Sequence, residues 1–139
     1  MNLITDRTNS DSLFGTEKGQ YGASDLNRVE SAVRYLSFLA ESIVLVEQLI
    51  TKTDWGEPGP FSTETWPTKD QMNRYLHNVK SLCASVGISV RLPASMDKLT
   101  WQGANQIEAA LLVVKDYLSK NIHQFFYSGE IFAGEDCGL

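Results

Sequence analysis

The sequence predicts a mainly α fold: a three-helix bundle with an extended N-terminal arm, an aromatic Pro/Gly loop and an extended C-terminal tail. Three observations predict it. The stretch from Pro67 to Val86 sets Met72, Tyr75, Leu76, Val79, Leu82, Cys83 and Val86 at helical spacing, which gathers them on one face. The segments before and after it carry stripes of the same period. Between the stripes lie runs rich in Pro and Gly, which interrupt regular structure. With 139 residues the chain suits one domain. Its parts read as an arm at 1–20, a helical domain at 21–129 and a tail at 130–139.

The central helix is expected over 68–86. Thr68 and Gln71 form a capping box at its start, Asp70 lies in the first turn where the helix dipole favours an acid, and Gly87 is a natural terminator. The first helix is expected over 24–50, with Ser24 as N-cap and Asp25 in the first turn. Its stripe is Leu26, Val29, Val33, Leu36, Ala40 and Ile43, and Glu30 with Arg34 makes an i, i+4 pair. The β-branched run Ile43-Val44-Leu45-Val46 fits a helix end or a strand, but Leu45, Val46, Leu49 and Ile50 keep helical spacing, which favours helix through Ile50. The third helix is expected over 101–127, started by Thr100 and ended by Gly129. Its face is Ala104, Ile107, Ala110 or Leu111, Val114, Tyr117 or Leu118, Ile122 and Phe125. Ile88 to Leu92 alternates apolar and polar residues and reads as an extended connector. No internal repeat is evident in the residues.

In the arm, Leu3-Ile4 and Leu13-Phe14 interrupt a polar run. Such pairs either pin an extended segment to a core or a neighbour, or belong to a disordered arm. Residues 51–67 form a long loop holding Trp55, Phe61 and Trp66. These rings make either an exposed platform for a partner or a cap folded over one end of the bundle. At the end of the third helix stands Phe125-Phe126-Tyr127, followed after Ser128-Gly129 by Ile131-Phe132. Neighbours on a helix lie about 100° apart, so one face cannot take three consecutive rings. This region is expected to work between subunits; the other reading has the tail folding back over its own bundle.

Net charge is −5 and the Lys and Arg residues stand singly, which argues against nucleic acid and anionic membrane as partners. Residues 1–20 hold no secretory signal and the run Ile43–Val46 is too short to span a bilayer, so a soluble chain made in the cytoplasm is expected. Cys83 reads as a small buried hydrophobe and Cys137 as a free thiol near the chain end, with a disulfide between them the alternative. His77, His123 and the two cysteines lack metal-site spacing, and no nucleophile, P-loop or dinucleotide motif is present. No cofactor and no catalytic activity are expected, and most carboxylates read as solvated surface.

Four phrases carry a resemblance: Asp25-Leu26-Asn27-Arg28-Val29-Glu30, Lys52-Thr53-Asp54-Trp55, Met72-Asn73-Arg74-Tyr75-Leu76-His77-Asn78-Val79, and Phe126-Tyr127-Ser128-Gly129-Glu130-Ile131-Phe132-Ala133-Gly134-Glu135. Over about residues 21–135 the chain resembles a family of small uncharacterised phage and prophage proteins of Gram-positive bacteria, encoded among tail and baseplate genes. That family usually has a glycine-containing turn before Lys-Thr-Asp-Trp, which Glu41 to Thr51 lacks. The resemblance implies a structural virion component in a tail, baseplate or appendage. It would assemble in the host cytoplasm and contact other virion proteins and copies of itself. A host-surface or glycan-recognising module using Trp55, Phe61 and Trp66 is the second expectation.

Overall fold

The computed structural model describes the backbone of residues 3–10, 21–56 and 67–133, and side chains within that set as far as residue 122. Three helices form the frame: α1 Ala23–Ala40, α2 Lys69–Ser85 and α3 Trp101–Ala133. Each packs against the other two, and no strand occurs among the described residues. The mainly α three-helix expectation holds.

The helices share one register. Their fourth residues are Leu26, Met72 and Ala104, and their fifth are Asn27, Asn73 and Asn105. At the seventh, eleventh and fourteenth positions stand Val29, Tyr75 and Ile107, then Val33, Val79 and Leu111, then Leu36, Leu82 and Val114. All nine of these last residues are buried and form the middle of the core. Burying a side chain of this size contributes about 1.5–3 kcal/mol, so the shared stripe is the main source of packing energy.

All three helices point the same way. The segment after α1 runs back along the bundle, with Glu47 at His77 and Ser81, Ile50 at Arg74 and Asn78, Lys52 at Glu30, and Trp55 at Asn27. It is therefore antiparallel to α1 and to α2, which makes those helices parallel. Leu26, Met72 and Ala104, the fourth residues, line a single pocket of about 380 Å³, so the N-terminal end of α3 lies at the same end. The connector after α2 packs Ile88, Val90, Leu92, Met96 and Leu99 on the core while Ser89 and Arg91 face water, as its alternation predicts.

The sequence shows no repeat, yet the three helices repeat one register, and among the described residues non-helical segments at 3–8, 45–54 and 88–92 lie against them. The helices share little beyond the apolar spacing and the asparagine at the fifth position, too little for identity to reveal.

The first helix ends ten residues earlier than expected, at Ala40, with Glu41 as its C-cap. The cause is the return strap. A helix continued to Ile50 would carry that residue about 30 Å past Glu30. Lys52 lies two residues on, a reach of about 7 Å, and could not bring its N–H to Glu30. The spacing of Leu45 and Ile50 is no core stripe, for they are 97% and 74% exposed. The N-cap is Gly22 rather than Ser24, and Asp25 accepts the Gly22 N–H at 2.9 Å. Glu30 does not pair with Arg34, which is exposed; its carboxylate faces inward to Arg74.

In α2 both bonds of the Thr68–Gln71 capping box are made, at 2.9 and 3.1 Å. Gly87 takes φ 76°, the left-handed conformation that lets the Ile88 N–H reach the Cys83 carbonyl. In α3, Gly103 allows close approach: a Cβ there would sit 3.0 Å from Leu99 Cδ1 and 3.5 Å from Pro93 Cβ. Gly129 does not end α3, which continues to Ala133, because an interior glycine costs a helix only about 1 kcal/mol. The first four residues of the expected extended tail are therefore helical; 134–139 lie outside the described residues.

Candidate functional site

Among the described residues, two buried clasps with the same construction hold the buried carboxylates. In each, an Asn and a Glu three residues later on one helix grip a strap. On α3 these are Asn105 and Glu108. The Asn105 side chain accepts the Arg7 N–H at 3.1 Å and donates to the Arg7 carbonyl at 3.0 Å. Glu108 accepts the Ile4 N–H at 2.9 Å. On α1 the pair is Asn27 and Glu30. Asn27 accepts the Trp55 N–H at 2.7 Å and donates to the Trp55 carbonyl at 2.9 Å. Glu30 accepts the Lys52 N–H at 3.0 Å. Both straps read x-Thr-Asp-x across the grip: Ile4-Thr5-Asp6-Arg7 and Lys52-Thr53-Asp54-Trp55.

Each glutamate also takes the side chain of the strap residue gripped by the asparagine, and a guanidinium from a neighbouring helix. Arg7 donates to Glu108, and Arg28 of α1 donates to both its oxygens at 2.8 Å. The Trp55 indole N–H donates to Glu30, and Arg74 of α2 donates to both its oxygens at 2.9 and 3.2 Å. The rule is cyclic: the sixth residue of one helix meets the eighth of the helix before it. At the third interface those positions hold Gln106 and Leu76, so cation and anion are missing together.

Glu30 and Glu108 are 2% and 0% exposed, and each accepts four hydrogen bonds on its two oxygens. Buried charges must be paired in this way to be tolerated. Asp25 completes the first clasp by pairing with Arg7 and Arg28. The bond to Glu108 is the first cause that holds the Arg28 guanidinium above its ordinary pKa. Tyr21 stacks on the Arg7 guanidinium at 5.4 Å and shares a hydrogen bond with Tyr75. Burial pushes both phenols above their ordinary values, so they remain neutral. Four donors occupy the carboxylate of each of Glu30 and Glu108. The clasps fasten the chain to itself.

Cys83 is buried and free, and burial pushes its thiol up to about 11. Among the described residues no group of three His, Cys, Asp or Glu is placed to hold a metal ion, and no helix is long and apolar enough to cross a membrane.

Of the residues expected to bind partners, Trp55 is 3% exposed and part of the core. Phe61 and Trp66 lie outside the described residues, as do Leu13, Phe14 and Cys137. Phe125, Phe126, Tyr127, Ile131 and Phe132 are placed on α3 by its backbone, beyond Ile122, and the structure does not describe their side chains. Sequence reasoning missed Arg7, Asp25, Arg28, Glu30, Arg74, Asn27, Asn105 and Glu108. For the glutamates a signal exists: both interrupt an apolar stripe, and both follow an asparagine by three. Arg7, in a polar arm, carries none.

The fold and clasps define a parallel three-helix frame with its straps locked on. No family model matches the chain, and no curated protein or solved structure does either.

Proposed function

We propose that this protein is a structural component of a phage virion, in a tail, baseplate or appendage, acting through protein–protein contacts and without turnover of its own. The observation that carries the reading is the saturation of the buried Glu30 and Glu108 carboxylates by the chain's own straps and helix arginines. Groups of the kind that do acid–base work are used here to hold a shape. Arm, return strap and helices form one cross-linked frame, which suits a part held by neighbours. The resemblance of the phrases around Asn27, Trp55, Asn73 and Phe126 to tail- and baseplate-associated proteins supports the setting.

The attachment region under this reading is the distal part of α3. At about 1.5 Å per residue its 33 residues run about 50 Å, against about 27 Å for the 18 of α1. Beyond Ile122, the last described residue packed on the core, stand Phe125, Phe126, Tyr127, Ile131 and Phe132. They are offered to other virion proteins. A glycan-binding loop draws no support from Trp55, which is buried. Mass spectrometry of purified particles tests the proposal: the protein is expected at fixed stoichiometry, and particles that lack it would overturn the reading.

A further inference from the structure

Six large apolar side chains are exposed among the described residues, and four of them belong to the C-terminal half of α1 and the strap that follows it: Tyr35 at 53%, Phe38 at 72%, Leu45 at 97% and Ile50 at 74%. On the outer face of α1, Arg34, Phe38 and Glu41 stand at i, i+4 and i+7, all exposed. Among the described residues no ion pair engages either charge. Beside Phe38 a hollow of about 230 Å³ opens between α1 and the strap, with Leu49 and Thr51 on its far side.

This face is complementary to itself. A two-fold axis through Phe38 that sets α1 antiparallel to its copy brings Arg34 against Glu41 of the other chain, and Glu41 against Arg34. At the axis the two exposed Phe38 rings meet each other, beside the hollow that Phe38 walls together with Arg34, Ser37, Glu41, Gln48, Leu49 and Thr51. A patch with both halves of a contact is the requirement for a closed, isologous dimer. Aromatic side chains near the centre of a patch are the usual core of an interface. We infer that the outer face of α1 is a homodimer surface, with Phe38 at its centre and two Arg34–Glu41 pairs at its edge. The occupant is a second copy of this chain, and the inference stands apart from where the protein works.

The test uses the full chain and sedimentation equilibrium over a range of concentrations. The wild-type chain is expected at twice its 15.5 kDa mass. Phe38→Ala is expected to return it to monomer. Arg34→Glu and Glu41→Arg each set like charges opposite one another and are expected to weaken association about tenfold or more. Mixing these two variants one to one sets opposite charges together again and restores the dimer. Because all three side chains are exposed, circular dichroism and thermal unfolding of the monomeric variants are expected to keep the helical signal. A wild-type chain that stays monomeric overturns the inference. So does a dimer indifferent to Phe38→Ala and to both charge reversals, or a mixture that fails to re-associate.

Discussion

Glu108 on α3 receives the Arg28 guanidinium of α1 through both carboxylate oxygens, each at 2.8 Å, in a site where the glutamate has no solvent exposure. The same carboxylate holds the backbone N–H of Ile4, 104 residues away in sequence. One side chain thus joins two helices and the N-terminal arm. Glu30 repeats the arrangement with Arg74 and Lys52.

Removing a partner from such a site leaves buried charge uncompensated. Glu108→Ala is expected to lower unfolding free energy by about 3–5 kcal/mol. Urea titration followed by circular dichroism reads it. Limited proteolysis should then cut within residues 3–10, a site protected in the parent. Lys120→Ala, which breaks a pair that is about 70% exposed, should cost no more than about 1 kcal/mol.

Trp55→Phe keeps a ring in the core but deletes the indole N–H that Glu30 accepts. A buried acceptor that loses one donor costs about 1–3 kcal/mol. The loss should shrink if Glu30 is first changed to Gln, and a double-mutant cycle measures that coupling.

The fold was legible where local rules act alone. Thr68 with Gln71 and Gly87 marked the ends of α2, and the stripes gave the core of every helix. The end of α1 was not legible, because it is decided by where Trp55 and Lys52 must return, a contact with no local trace. Glu30 and Glu108 looked like solvated carboxylates by type, although their place within the stripes Leu26-Glu30-Val33 and Ala104-Glu108-Leu111 set them apart. Arg7 could not be found, since its partners Asn105 and Glu108 lie 98 and 101 residues on. The register shared by the three helices hid behind different residues at nearly every position but the asparagine.

Burial raises the Cys83 thiol from 9.0 to about 11. Since the folded value lies above the unfolded one, the resulting stabilisation is complete below about 9 and lost as pH rises toward about 11. In a Cys137→Ser chain, Cys83 of the native protein should resist thiol reagents at pH 8, and Cys83→Ala should flatten the loss of thermal stability between pH 9 and 11. Rapid labelling of Cys83 in the folded Cys137→Ser chain at pH 8 would contradict this.

Deleting residues 130–139 removes the last turn of α3 and the segment after it, all beyond the described core. The isolated domain is expected to keep its melting temperature while incorporation into particles fails. A truncated chain that melts markedly lower, yet still assembles, would assign the segment to its own core.

The central claim is that the straps are fastened to the helices by buried carboxylates. Amide hydrogen exchange of Ile4 and Lys52 measures it most directly. Neither residue belongs to a helix, and each donates its N–H to a glutamate inside the molecule. The clasps predict protection of both amides approaching that of Val79 and Leu111 in the core, lost for Ile4 in Glu108→Gln and for Lys52 in Glu30→Gln. Exchange of both at the rate of an unstructured chain in the parent protein would contradict the account.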